Sequence, residues 1–150
     1  MNYFALCLSV LFFAACSAAE QPRAADFVPP AASSADFGGL RVHYNALPTL
    51  SLNDAVAREY GVTKDADSAM LVVAVRRLEN GEETSAESEV SAEAFDLQGA
   101  RQHIGFSAVK TGQYTDHIGV FTVHAHDSYR FEVTVKADGR TEKVKFQRNF

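Results

Sequence analysis

The sequence predicts an all-β domain, an antiparallel two-sheet sandwich that is immunoglobulin-like in the broad sense, with about seven strands and one short helix near residues 52–60. Three observations carry this. Short runs alternate apolar and polar residues with the period of a half-buried strand. Asn80-Gly81 and Asp138-Gly139 sit between such runs, and both are two-residue hairpin signals, because a type I′ turn needs positive φ at both central residues. Turn residues recur every 8–12 residues from position 38 onward, the spacing of a sandwich rather than of βαβ units.

In Leu40-Arg41-Val42-His43-Tyr44 the apolar residues Leu40, Val42 and Tyr44 alternate with Arg41 and His43. Gly38-Gly39 before it permits a bend or bulge, and Pro48 ends it. Ser51 to Tyr60 reads as the helix. Ser51 is the expected N-cap with Asp54 three residues on, Leu52, Val56 and Tyr60 share one face, and Gly61 is the stop. Ala69 to Val75 is almost continuously apolar, which places it centrally in a sheet with both faces covered. The return from Asn80-Gly81 lies within Thr84–Leu97, and its Ala/Ser/Glu composition suggests an edge strand.

Gln102 to Ala108 follows, with Ile104, Phe106 and Ala108 inward. His117–Val123 is the next strand. Tyr129–Lys136 has the cleanest alternation in the chain, and Thr141–Phe150 closes the domain with Val144 and Phe146 inward.

The chain ahead of this domain is of another kind. Residues 1–19 carry no charged side chain, and Tyr3–Ala15 is an apolar run of signal-peptide length, too short as a helix for a bilayer core of about 30 Å. Phe13-Ala14-Ala15-Cys16-Ser17 resembles the lipobox of bacterial lipoproteins, which would make Cys16 the lipidated residue. Ser17-Ala18-Ala19 equally satisfies the small-residue rule for ordinary signal peptidase, with cleavage before Glu20, and an uncleaved anchor is the third option. Residues 17–35 are rich in Ala, Pro and Ser and contain Pro29-Pro30, so they read as a tether. The expected organisation is a signal over 1–16, a tether over 17–35 and the sandwich over 36–150. A lipid anchor, rather than a spanning helix, would hold the protein in the periplasm. By resemblance to lipoprotein sorting, Ser17 after Cys16 favours the outer membrane.

Charge and cysteine usage exclude several roles. The net charge of −5 falls entirely beyond residue 19, which disfavours nucleic acid. Cys7 and Cys16 both lie in the targeting region, so the sandwich holds no disulfide and no thiol nucleophile. From Glu79 to Asp96 there are seven acidic residues and no Lys or Arg, while Lys136, Arg140, Lys143, Lys145 and Arg148 make the C-terminal segment basic. These read as solvated strand faces and turns.

The order of Phe37-Gly38, then Val42-His43-Tyr44-Asn45-Ala46, then Val56-Ala57 and Tyr60-Gly61, the apolar Leu71–Val75 and the aromatic Tyr129-Arg130-Phe131 resembles a family of short exported Gram-negative proteins known as domain of unknown function 4426. The resemblance covers residues 36–150 and implies no activity that transfers to this chain.

Candidate chemistry is sparse. His43, Tyr44 and Asn45 form one stretch and are the binding candidates. His124 and His126 at i, i+2, with Asp127 and His117 near in sequence, have the residue types of a zinc or copper site, and are weighed against a solvated turn. There is no Gly-x-Ser-x-Gly elbow, no phosphate loop and no Trp for a sugar platform. A hydrolase would need a pocket joining a nucleophile to His43 or His117. The expected role is therefore non-enzymatic and without a cofactor: a binding or accessory module for another envelope protein, the alternative being a small-ligand or metal-binding periplasmic protein using His124 and His126.

Overall fold

The computed structural model describes residues 33–150. The signal, the lipobox with Cys16, and the tether up to residue 32 lie outside the described residues. Ten strands form two antiparallel sheets: β1 Ser34–Phe37, β2 Leu40–Pro48, β3 Ser68–Glu79, β4 Glu82–Ser85, β5 Ser88–Phe95, β6 Arg101–Ile104, β7 Ser107–Thr111, β8 Tyr114–Thr122, β9 Ser128–Ala137 and β10 Arg140–Asn149. The six-stranded sheet runs β1-β2-β3-β8-β7, with β4 pairing the far end of β3 beyond β8; the four-stranded sheet runs β10-β9-β5-β6. The all-β sandwich is what the sequence predicts.

Three of its strands are not in the sequence reading, two of them for one reason. The expected single strand over Thr84–Leu97 is two strands in different sheets, with the crossing at Ala86-Glu87. The expected strand Gln102–Ala108 is also two, crossing at Gly105-Phe106, and Ala108 is exposed rather than inward. A crossing of two residues leaves no turn signal. The third addition is β1, so Gly38-Gly39 makes a hairpin turn, with Gly38 at φ 65°, in place of the expected bend. The acidic strand is no edge: β5 lies between β9 and β6. Ala92 and Ala94 face the core, while Glu89 and Glu93 alternate to solvent, so its charges mark a face.

β3 is central, as its composition requires, with β2 on one side and β8 and β4 on the other. Asn80 (φ 52°) with Gly81 (φ 86°), and Asp138 (φ 51°) with Gly139 (φ 71°), make the two expected hairpin turns. The helix α1 is Asp54–Glu59, shorter than expected. Its cap is Asn53, whose side chain accepts the Val56 N–H at 2.9 Å. Ser51 instead ends a 3-10 turn (Thr49–Ser51) and donates its hydroxyl to Pro48 O. Gly61 ends the helix with φ 65°, as predicted.

The inner faces of both sheets supply the main core, around Leu40, Val42, Leu71, Val73, Phe131 and Val133. An aromatic file crosses it. Tyr44 lies 4.6 Å from Phe146, Phe146 stacks 4.7 Å from Phe131, and Phe121 meets Phe131 edge-on at 5.3 Å. A second cluster sits on the opposite face of the six-stranded sheet. There Leu52, Ala57 and Val62, from the helix and its flanks, cover Met70 and Ile118. This explains why β3 is apolar on both faces, and why its outer face is only half covered.

Candidate functional site

The outer face of the six-stranded sheet carries the site. Antiparallel register puts Arg41, His43 and Asn45 of β2 on the same face as Arg76, Ala74 and Val72 of β3, with Glu83 of β4 beyond them. The helix covers one end of this face. At the other end, charged side chains form two linked groups.

The first group is open to solvent. Arg41 binds Asp36 of β1 through two nitrogens, at 2.6 and 2.9 Å, and reaches Glu83 Oε1 at 3.1 Å. The other Glu83 oxygen meets His43 Nε2 at 2.9 Å. The His43 hydrogen bond, then that of Arg41, holds the Glu83 carboxyl below the usual carboxylate range against the opposing effect of burial. The second group is buried. Arg76 is 8% exposed; it pairs with Asp116, donates to Thr115 O at 3.0 Å, and lies 4.7 Å from the Tyr114 ring centroid. Tyr114 in turn donates its hydroxyl to Glu83 O at 3.3 Å, joining the two groups across β4.

Between this polar frame and the helix lies a cradle of about 180 Å³, lined by Ser33, His43, Tyr44, Asn45, Val72 and Ala74. Ala74 is small and Val72 half-buried, so the floor is apolar; the exposed Asn45 and His43, held by Glu83, make a polar wall. All three binding candidates of the sequence reading touch this cradle. The Tyr44 ring, however, is 8% exposed and belongs to the core, where burial raises its pKa. A larger hollow of about 460 Å³ lies at the β9–β10 turn. Its charges are mostly spent on neighbours, Lys136 on Glu89 at 3.4 Å and Asp138 on Arg77, which leaves it a solvated groove.

The remaining histidines stay apart. His124 and His126 are exposed in the turn after β8. The His124 N–H donates to the Tyr129 hydroxyl at 3.1 Å, and His126, at φ 63°, donates its N–H to Phe150 O at 2.8 Å. Among the described residues no three His, Cys, Asp or Glu side chains are grouped to hold a metal ion. His117 faces the opposite way from Asp116, is 8% exposed, and meets Ser88 Oγ at 3.0 Å. This links the sheets through β8 and β5. Asp116 is taken by Arg76, and among the described residues no carboxylate bonds the other ring nitrogen of His117. The contact therefore lacks the third group that orients a catalytic base.

Sequence reading did not find Arg76, Asp116, Glu83 or Ser88. A signal for one of them existed: Arg76 falls on the same strand face as Met70, Val72 and Ala74, and a cation on an otherwise apolar face needs a partner.

A family model described as "Domain of unknown function (DUF4426)" matches residues 34–150. The fold resembles the crystal structure of a DUF4426 family protein from Pseudomonas aeruginosa PAO1, at 23% identity and TM-score 0.66, over 78% of this chain and 92% of that one. It also resembles a copper-bound variant of FetP from uropathogenic Escherichia coli strain F11, at 10% identity and TM-score 0.56, over 78% of this chain and 93% of that one. At these identities the likeness is one of fold. No curated protein matches.

Proposed function

The chain belongs to the DUF4426 family, and on that premise we propose that it is an exported binding module that docks another envelope protein through the outer face of its six-stranded sheet. In this reading Cys16 carries the lipid, residues 17–32 are the spacer, since Ser34 and Ala35 belong to β1, and the protein is held in the periplasm at the outer membrane. The observation that carries the binding role is the cradle. Pockets for small-molecule ligands run to about 300–1,000 Å³, whereas this one is about 180 Å³, the scale of one anchoring side chain. Its surroundings suit an anchor point, because Arg76, Asp116, Tyr114 and Glu83 fix the neighbouring strands at buried and half-buried positions. A partially apolar pocket with a polar rim is the anatomy of an interface hot spot.

Two experiments test the two halves. Fractionation of cells carrying Cys16→Ala should move the protein from the membrane to the soluble periplasmic fraction; an unchanged distribution would remove the lipid anchor. Crosslinking in intact cells should capture a stoichiometric protein neighbour, and its absence at every surface position tried would remove the binding role.

A further inference from the structure

The two sheets part at the margin away from β1 and β2. There β7 pairs β8 only over Tyr114–Ile118. Beyond Ile118, β8 has β3 on one side and, among the described residues, no strand on the other. Across the gap β6 pairs β5 alone. At Gly119 the margin is closed, because the crossing brings Ile104 and Gly105 against it. Towards Thr122 it holds a hollow of about 170 Å³, whose lining includes Ala94, Asp96, Gln102, Thr122, His124 and Tyr129.

The floor of this hollow is apolar and its walls are polar. Ala94 is 1% exposed and belongs to the core. Gln102 pairs with Ala94 in the β5–β6 ladder, and residues opposite each other share a face, so Gln102 points between the sheets. Gln102 is half-buried, and its amide has no hydrogen-bond partner among the described residues. Tyr129 is 5% exposed. Its oxygen accepts the His124 N–H at 3.1 Å, but a phenol is also a donor, and the hydroxyl proton meets no acceptor among the described residues. Burial, and after it the Asp127 and Asp96 carboxylates, raise the pKa of this hydroxyl against the effect of the His124 N–H, which keeps it a donor. Asp96 gives one oxygen to the Ala100 N–H at 2.7 Å and has a second to offer. Arg101 also lines the hollow, but its side chain is 69% exposed and lies 3.7 Å from Glu93.

A group that fills this space must accept from Tyr129, donate to Asp96 and bring no negative charge beside it. It must also be small. The volume is that of about six waters at liquid density, below the roughly 300–1,000 Å³ of pockets for larger ligands. A carboxylate supplies the acceptor but is repelled by Asp96. An ammonium is drawn to Asp96 but offers Tyr129 nothing. A primary carboxamide meets both demands with one planar group: its oxygen suits the Tyr129 O–H, and its two N–H bonds suit Asp96 and Gln102 Oε1.

We propose that this hollow between the sheets binds a primary carboxamide, either that of a small free amide or that of an Asn or Gln side chain. The site shares no lining residue with the cradle on the docking face, and it stands or falls apart from that reading.

The probe is acetamide, titrated into the full-length protein and followed by NMR at the His124 amide and the Tyr129 ring. Both signals should shift saturably. Acetate, glycine and N,N-dimethylacetamide should each bind at least tenfold more weakly, the first two because a carboxylate meets Asp96 and the third because it has no N–H. Tyr129→Phe should weaken acetamide at least tenfold with the thermal transition kept. Asp96→Asn keeps an acceptor for the Ala100 N–H, and it should narrow the preference for acetamide over acetate at least tenfold. No saturable shift with acetamide overturns the proposal, as does equal or tighter binding of acetate, glycine or N,N-dimethylacetamide. Unchanged affinity in folded Tyr129→Phe overturns it too. The ranking on the unaltered protein decides the matter if a variant fails to fold. N-acetylglutamine N-methylamide then separates the sources. Binding at least tenfold tighter than acetamide assigns the site to a side chain, and weaker binding assigns it to a free amide.

Discussion

The two outer faces of the sandwich use the same residue types to opposite effect. On the four-stranded sheet, Lys145, Glu132, Glu93 and His103 form a row across β10, β9, β5 and β6, with Lys145 3.0 Å from Glu132 and His103 3.1 Å from Glu93. The Lys145 and His103 side chains are more than 60% exposed. On the six-stranded sheet, Arg76 and Asp116 are only 10% and 14% exposed, and Tyr114 covers them. The first row keeps a sheet face soluble. The second takes charge out of water, and that is tolerable because the Arg76 guanidinium meets Asp116, Thr115 O and Val75 O. The lesson is that burial, and not the presence of an ion pair, distinguishes a frame around a site from a solvated face.

The largest effect that probes this contrast should come from Asp116→Ala. It leaves the Arg76 guanidinium buried and unpaired, at a cost of about 3–5 kcal/mol. Lys145→Ala on the other face should cost less than about 1 kcal/mol. Urea denaturation of both variants checks the pair, and equal losses would erase the distinction between the faces. Gly119→Ala tests the seam between the sheets. A Cβ there would lie 2.5 Å from Ile104 Cγ2 and 3.0 Å from Gly105 O, so the crossing at Gly105-Phe106 must shift. Overpacking of this kind costs about 1–3 kcal/mol, to be read as a fall in denaturation midpoint. Asn53→Ala, which removes the helix cap and loosens the cover over Met70, should cost about 1 kcal/mol. Faster amide exchange at Val56 is its specific signature.

The smallest effect is with pH. Burial pushes the His117 ring below its ordinary value of 6.5. As pH falls through that value, the unfolded chain takes up a proton that the folded protein does not, so stability declines. Glu83 acts lower down. Its folded pKa is depressed below 4.5, so its contribution is present above that value and is lost as pH falls through the folded pKa. Stability plotted against pH should thus descend in two limbs, and His117→Gln should remove the upper one.

The strands that alternate cleanly, such as Tyr129–Lys136, and the turns at Asn80-Gly81 and Asp138-Gly139 were legible because each is fixed by its own residues. The crossings at Ala86-Glu87 and Gly105-Phe106 were not, since a strand that changes sheets keeps its extended backbone and needs no turn residue. The helix cap fell two residues from its expected place because Ser51 found a closer acceptor in Pro48 O. The site divides in the same way. His43, Tyr44 and Asn45 stood out as one stretch, but Glu83 lies 40 residues from His43, and Asp116 40 residues from Arg76. Only the register of β2, β4 and β8 on β3 unites them, and no local pattern encodes it.

The crossings also govern how the molecule assembles. The six-stranded sheet takes its strands from two separate stretches of chain, β1–β4 and β7–β8, and the four-stranded sheet takes β5–β6 and β9–β10. Neither can be completed before the chain has passed through the other, and β3 meets β8 only after the β5–β6 hairpin has been looped out. Such interleaving raises the mean sequence separation of native contacts, which slows folding. It also binds the sheets into one cooperative unit, so the domain should unfold in a single transition with no half-sandwich along the way. A chain that commits late and all at once stays threadable until it is whole.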